Sequence, residues 1–248
     1  MDRSLADEEL LAVAEVAAYL NLRPVTVYRW CREGRLPCIK LGTVWRIRRT
    51  ALDAFLRQHE RAQTLVSHLR AFLTIPDQVI GIAANAALLT RLDAAFFHVA
   101  EAYGSLMVKF VTGEVESVDV IRAALTAEGV DVATLEAAER LWFVEELAPS
   151  GGRVEALQRL LAAQPDAHQP LWASFDWARQ VGLAEALAQH EALARLVDSA
   201  PLVVKIAVLE QTVDTWPPAL QRQVQASHRG MIWLSTNRLS LTRTTPLA

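Results

Sequence analysis

Eight lysines and arginines fall between Leu20 and Arg49: Arg23, Arg29, Arg32, Arg35, Lys40, Arg46, Arg48 and Arg49, against a single acid, Glu33. Tyr28, Trp30 and Trp45 are interleaved with them. Guanidinium and ammonium groups at this density suit the chemistry of phosphate, through charge-assisted hydrogen bonds to a polyanion, and arginine forks also reach base edges. The charge is local. Residues 1–62 hold eleven basic and eight acidic side chains, and the other fourteen basic and twenty acidic ones make the rest of the chain negative, within a formal total of −3. A charged run is usually a solvated face, so the elements that carry it must decide its role.

Other chemistries lack their residues. A phosphate-binding loop needs glycines for close backbone approach and a Gly-Lys pair, and the first strand-like run of the larger half is followed by "AANAALLTRL". No G-x-S-x-G elbow is present. His98, His168, His190 and His228 lack the i, i+4 spacing of a helical zinc site and read as surface or capping residues. Cys31 and Cys38, with six residues between them and no second cysteine pair, read as small buried side chains rather than zinc ligands. Asp176 and Glu210 end strand-like runs, where they either face a ligand crevice at the carboxyl edge of a sheet or cap helices. The chain is therefore read as no enzyme, with no catalytic residues, metal or cofactor, and with Asp176 and Glu210 as weak ligand-binding candidates.

The elements that position the basic residues follow from periodicity. "LLAVAEVAAYLN" spaces Val13, Val16, Ala17 and Leu20 on one helical face and ends at Asn21. "PVTVYRWCREG" opens with Pro24 and closes at Gly34, with Val27, Trp30 and Cys31 inward and Thr26, Tyr28, Arg29 and Arg32 nearer solvent. "LPCIKLG" and "TVWRIRR" then alternate as a hairpin, Ile39, Leu41, Trp45 and Ile47 against Lys40, Arg46 and Arg48, with Gly42 and Thr43 at the turn. A long helix follows, with Leu52, Phe55, His59, Ala62, Val66, Leu69 and Leu73 at steps of three and four, either a linker or a dimer-forming seam.

From Pro76 onward the pattern changes. "QVIGIAA", "LMVKFV", "LWFVEEL", "LWASFDW", "LVVKIAVL" and "MIWLS" read as strands separated by Ala/Leu-rich helices, the signature of a mostly parallel sheet covered on both faces. With 248 residues, 52% of them hydrophobic, the chain divides into a small domain (1–58), a linker helix (59–75) and a larger α/β domain (76–248). The apolar runs are too short to span a bilayer, and the acidic start lacks a signal-peptide pattern, so a cytoplasmic location is expected.

Residues 11–56, "LAVAEVAAYLNLRPVTVYRWCREGRLPCIKLGTVWRIRRTALDAFL", resemble the excisionase-type, MerR-like winged helix-turn-helix family, with "EVA-YL", "TVYR", "REG-LP", "WRI" and "LDAFL" in order. The resemblance implies a second helix that reads the major groove of double-stranded DNA and a wing that contacts it. Carried over, Thr26, Tyr28 and Arg29 face the groove and Lys40, Arg46 and Arg48 the phosphates, with Arg23, Arg32 and Arg49 as further DNA candidates. The chain departs from the family at Ala12, where a Thr or Ser cap worth about 1 kcal/mol is usual, at Pro24 and Val25, where a polar pair often opens the helix, and at Val44, where an arginine is common.

Residues 170–235 more loosely resemble the MEDS sensory domain of MerR-like regulators, through Trp177, Glu191, the strand around Val204 and His228. That likeness implies a nucleotriphosphatase-like α/β fold without its phosphate loop. The expected function is a homodimeric transcription regulator whose C-terminal domain dimerises or senses a small-molecule effector. The alternatives are an excisionase-like architectural factor of recombination and, third, an enzyme with a DNA-targeting module.

Overall fold

Leu10–Ala12, which helical periodicity assigns to the start of the first helix, is a strand, and it completes a sheet that the hairpin alone would leave two-stranded. The computed structural model describes residues 9–112, 117–146, 152–164, 166–176 and 183–244, excepting the side chains of 58–63, 112, 146 and 183–189. It divides into two units, Met1–Thr64 and Leu65–Ala248.

In the first unit β1 (Leu10–Ala12) leads into α1 (Val13–Tyr19) and α2 (Pro24–Arg32), then β2 (Cys38–Leu41), β3 (Val44–Arg48) and α3 (Arg49–Phe72). The antiparallel sheet has the order β1-β3-β2. Ala12 is the N-cap of α1 without a side-chain cap, but the Glu15 carboxylate accepts from the Ala12 amide at 2.6 Å, supplying the return half of a capping box. Asn21 (φ +53°) turns the chain between α1 and α2, and Gly34 (φ +70°) ends the second helix. Val13, Val16, Ala17, Val27, Leu36, Ile47, Leu52 and Phe55 close one core, with Trp30 and Trp45 packed on it. Cys31 and Cys38 are bonded to each other, correcting the reading of two independent buried thiols. The last turn of α2 and the first residue of β2 face the same core, their Cα atoms 5.4 Å apart and within disulfide reach.

The second unit carries the parallel sheet. Its strands are β4 (Asp77–Ala83), β5 (Leu106–Thr112), β6 (Leu141–Glu146), β7 (Leu171–Asp176), β8 (Leu202–Leu209) and β9 (Gly230–Leu234), with β10 (Leu239–Arg243) folding back antiparallel on β9. The spatial order is β10-β9-β4-β8-β7-β5-β6. All six runs read as strands are strands; β10 was missed because "LSLTR" carries one weak alternation. The crossovers sort the helices onto two faces of the sheet. α4 (Ala86–Ala102), α5 (Val118–Ala127) and α6 (Val132–Ala137) cover one face; α7 (Arg153–Ala163), α8 (Leu183–Ser199), α9 (Glu210–Val213) and α10 (Pro218–Ser227) cover the other. Alternation within β5 shows the division: Met107 and Val111 enter the first core, Val108 and Phe110 the second. Where α4 crosses β4 there is no room for a side chain, since a Cβ on Gly81 would lie 2.6 Å from Leu92 Cδ2.

The stretch 59–75, expected as a linker helix, lies mostly within α3, which runs unbroken from Arg49 to Phe72. Leu65, Leu69 and Leu73 are buried in the core of the second unit, while Leu52 and Phe55 are spent in that of the first. No apolar seam is left for a dimer at these positions; His59 and Ala62 lie outside the described side chains. Arg243 anchors the edge of the second unit, its guanidinium bidentate on the buried Asp77 carboxylate at 2.9 Å and stacked 4.2 Å from the Phe72 ring. A fragment of residues 1–64 should therefore be folded and monodisperse, whereas 1–75, carrying three unburied leucines, should self-associate; sedimentation velocity on both checks this.

His190 and His228, read from sequence as surface or capping residues, are both buried, their rings 4.5 Å apart. His228 Nδ1 donates to the Val224 carbonyl at 2.7 Å, which fixes the neutral tautomer, and Gln78 Nε2 lies 3.3 Å from His190 Nδ1. Burial, His228 and Arg153 push His190 down to about 3; burial pushes His228 down to about 4, against the pull of the Val224 carbonyl. Both values lie below the ordinary 6.5, so the unfolded chain takes up these protons first. Their contribution to stability is complete above about pH 6.5 and is lost as pH falls toward 4 and 3. The melting temperature should fall steeply between pH 6 and 4 on the order of a two-proton dependence, and H190L/H228L should flatten that slope.

Candidate functional site

α2 begins at Pro24, whose missing amide costs nothing at the first helical position, and its N-cap Arg23 gives no side-chain cap. Val27 and Cys31 turn inward, with Trp30 half-buried beside them. The opposite face presents Val25, Arg29 and Arg32, at i, i+4 and i+7, with Tyr28 beside them; all four are exposed. Thr26 lies on the flank, half-buried. Arg29 and Arg32 in the last turn also complement the negative end of the helix dipole. Val25, at 62% exposure, is an apolar side chain at the start of a helix whose other outward residues are polar or aromatic.

The wing does not gather its bases on one face. Cys38 pairs with Ile47 and Lys40 with Trp45, so Lys40 shares the core-side face of the sheet; Ile39 pairs with Arg46 and Leu10 with Arg48, which places both arginines on the outer face. The expected alternation of Lys40 with Arg46 and Arg48 is thereby corrected. Reading the hairpin as two strands in continuous phase ignored how the two-residue turn at Gly42 (φ +61°) sets the register across it. Lys40 Nζ sits 5.7 Å over the Trp45 ring. Leu41, expected inward, is 52% exposed and pairs with the exposed Val44, so the wing tip is apolar. Arg49, the first residue of α3, is engaged with Glu9, 3.6 Å between charges, and its amide donates to the Glu9 carbonyl.

In the second unit Asp176 ends β7, and its carboxylate accepts from Lys109 Nζ at 2.7 Å. That lysine belongs to a buried cluster. Lys109, Ser174 and Lys205 stand side by side on β5, β7 and β8, and Asp93 of α4 lies over them. Asp93 accepts from Lys109 at 2.9 Å, from Ser174 Oγ at 2.6 Å and from Lys205 at a short contact. Burial alone would raise the Asp93 carboxyl, but Lys109 and Lys205 hold it well below the usual carboxylate range. Lys109, despite burial, is raised by Asp176 and Asp93, whereas Lys205 is pulled down by burial and by the neighbouring Lys109 charge against the pull of Asp93. Glu210 opens α9 at the end of β8 and takes no part in this cluster. Trp177 lies outside the described residues, Glu191 is exposed, and Val204 and His228 are core residues. Among the described residues no three His, Cys, Asp or Glu side chains are grouped to hold a metal.

Sequence reasoning missed the cluster, although "LMVKFV" and "LVVKIAVL" each place a lysine inside an otherwise apolar strand, a signal that a buried counter-ion must exist.

A family model for a helix-turn-helix domain matches residues 10–60. Two relatives, from two strains of Mycobacterium tuberculosis and both carrying provisional DNA-binding names, are each 39% identical over 51 residues, 21% of this chain. The chain spans 65% of the length of each. A KaiC-like protein from the archaeon Pyrococcus horikoshii superposes with a TM-score of 0.46 at 13% identity, covering 68% of this chain and 77% of that one. No helix among the described residues is long and apolar enough to cross a membrane.

The two faces of the wing should behave differently. R46A/R48A should lower the slope of log K against log salt by about two, near 0.9 per lost phosphate contact. K40A, whose ammonium rests on Trp45, should lower it by less than one. Fluorescence anisotropy with duplex DNA over a salt series measures both, and an unchanged slope in R46A/R48A would remove the outer face from DNA.

Proposed function

We propose that the chain is a DNA-binding transcription regulator in which the winged helix-turn-helix reads duplex DNA and the α/β unit senses a small-molecule effector or dimerises. The observation that carries the reading is the exposed face of α2: Val25, Tyr28, Arg29 and Arg32 project from a helix held at its other face by a closed core, the geometry that a major groove admits. The helix-turn-helix match over residues 10–60 supports it. Arg29 is the base reader, through a guanidinium fork on guanine, and Arg23 and Arg32 contact phosphates. Val25 replaces a polar reader with methyl groups, which suit the C5-methyl of thymine. A homodimer would set half-site spacing and multiply the affinity of a single module.

The reading assigns no catalytic step to the chain. An architectural factor of recombination would use the same DNA module but has no need of an α/β unit with a sheet of seven strands. Genome-wide mapping of bound sites separates the two, since a regulator occupies promoters and a recombination factor occupies attachment sites. Once a site is known, R29A should lose preference at one base pair, about 1–3 kcal/mol of discrimination, rather than weaken all sequences alike. Replacing thymine by uracil opposite Val25 should weaken the wild type and leave V25S unaffected; equal responses would take Val25 out of the groove.

A further inference from the structure

We propose that the carboxyl edge of β5 and β7 is an oxyanion site, at which a small molecule bearing a carboxylate or phosphate group binds Lys109 Nζ in place of the Asp176 carboxylate. The inference rests on the effector-sensing reading of the α/β unit and names the chemistry of the effector.

The cluster has a permanent part and a replaceable part. Asp93 is closed in by three donors, Lys109, Lys205 and Ser174, and is buried with them. Those four groups carry a formal charge of +1. Asp176 supplies the missing negative charge through its carboxylate on Lys109, while Arg153 donates to its carbonyl at 3.1 Å, and its side chain is 29% exposed where that of Lys109 is 1%. The one member that solvent reaches is thus the counter-ion, attached at the end of its strand. A ligand arriving at the sheet edge meets an ammonium already desolvated, held in place by Asp93 and needing one anionic partner. An oxyanion reproduces what Asp176 supplies, and the carboxylate it displaces can turn to water. Parallel sheets bind ligands at this edge where the crossovers part to opposite faces, and β5 and β7 are such a pair, since α5 follows β5 on one face and α8 follows β7 on the other.

The test uses the full chain, with sodium phosphate and sodium acetate as probes at constant ionic strength held by chloride, followed by calorimetry and thermal shift. D176N keeps the shape and a hydrogen-bonding oxygen for Lys109 but removes the competing charge. Saturable binding of one equivalent should appear or tighten at least threefold in D176N, and D176N should regain thermal stability with the bound ion. Response to phosphate alone assigns a phosphate group; response to both admits carboxylates. K109M should abolish binding in either background if it folds, but the D176N comparison decides by itself. Equal affinity in wild type and D176N, or no saturable binding in either, overturns the site and leaves Lys109–Asp176 a structural tie. DNA binding is measured separately on the same proteins, so loss of the DNA reading would leave an oxyanion result standing, and the reverse.

Discussion

Asp93 stands in the middle of α4, and donors from three adjacent strands close on it. The rest of the α/β unit is arranged around that contact. α4 buries Leu88, Leu92, Phe96 and Phe97, and the same rotation of the helix brings a carboxylate onto the row of Lys109, Ser174 and Lys205. Removing one partner from such a buried network costs about 3–5 kcal/mol, whereas replacing the whole network with hydrocarbon is often neutral. The cluster therefore fixes how α4 sits on the sheet, and its contribution is to uniqueness more than to depth of stability. The absence of a side chain at Gly81 belongs to the same arrangement, since it lets Leu92, the residue before Asp93, sit against β4.

The helix-turn-helix unit solves a different problem with a smaller core. Nine buried residues must hold a sheet of three strands and three helices. The Cys31–Cys38 bond joins the end of α2 to the start of β2, so α2 and the wing beside it are positioned by one covalent link as well as by packing. The exposed surface of the unit is unusual in its apolar residues. Tyr19, Leu22, Val25, Tyr28, Leu41 and Val44 are exposed, and they interrupt a field of arginines. Charge of this kind suits a phosphate backbone without regard to sequence, whereas methyl and ring edges suit bases and sugars.

Much of this was legible in the sequence, and the failures share a cause. Period-two and period-3.6 patterns located six strands of the parallel sheet and most helices because those segments are long and buried on defined faces. β1 escaped because Leu10–Ala12 is three residues long and continues smoothly into the apolar spacing of α1. Lys40 was put on the wrong face because a hairpin turn resets the phase between strands, and that register is set by pairing across the turn rather than by the pattern along either strand. Cys31 with Cys38 and His190 with His228 were judged one residue at a time, while their roles depend on a neighbour brought close by folding. Asp176 was singled out as a lone carboxylate at a strand end; the lysine that gives it a role lies on another strand, 67 residues away in sequence.

One row of contacts leaves the buried cluster on its inner side. Lys205 Nζ lies 5.4 Å from the Phe96 ring, Phe96 is 4.8 Å from Trp172, Trp172 stacks 6.0 Å from Tyr103, and Arg70 of α3 lies 5.9 Å over Tyr103. Among the described tryptophans Trp172 alone is fully buried, and its indole N–H has no acceptor. An indole so enclosed emits at the short-wavelength end of the tryptophan range, and its excited-state dipole responds to the electric field of charges nearby. Nature has in effect placed a fluorophore one ring away from the lysine–aspartate cluster, so a change in that cluster's charge has an optical signature that needs no attached label.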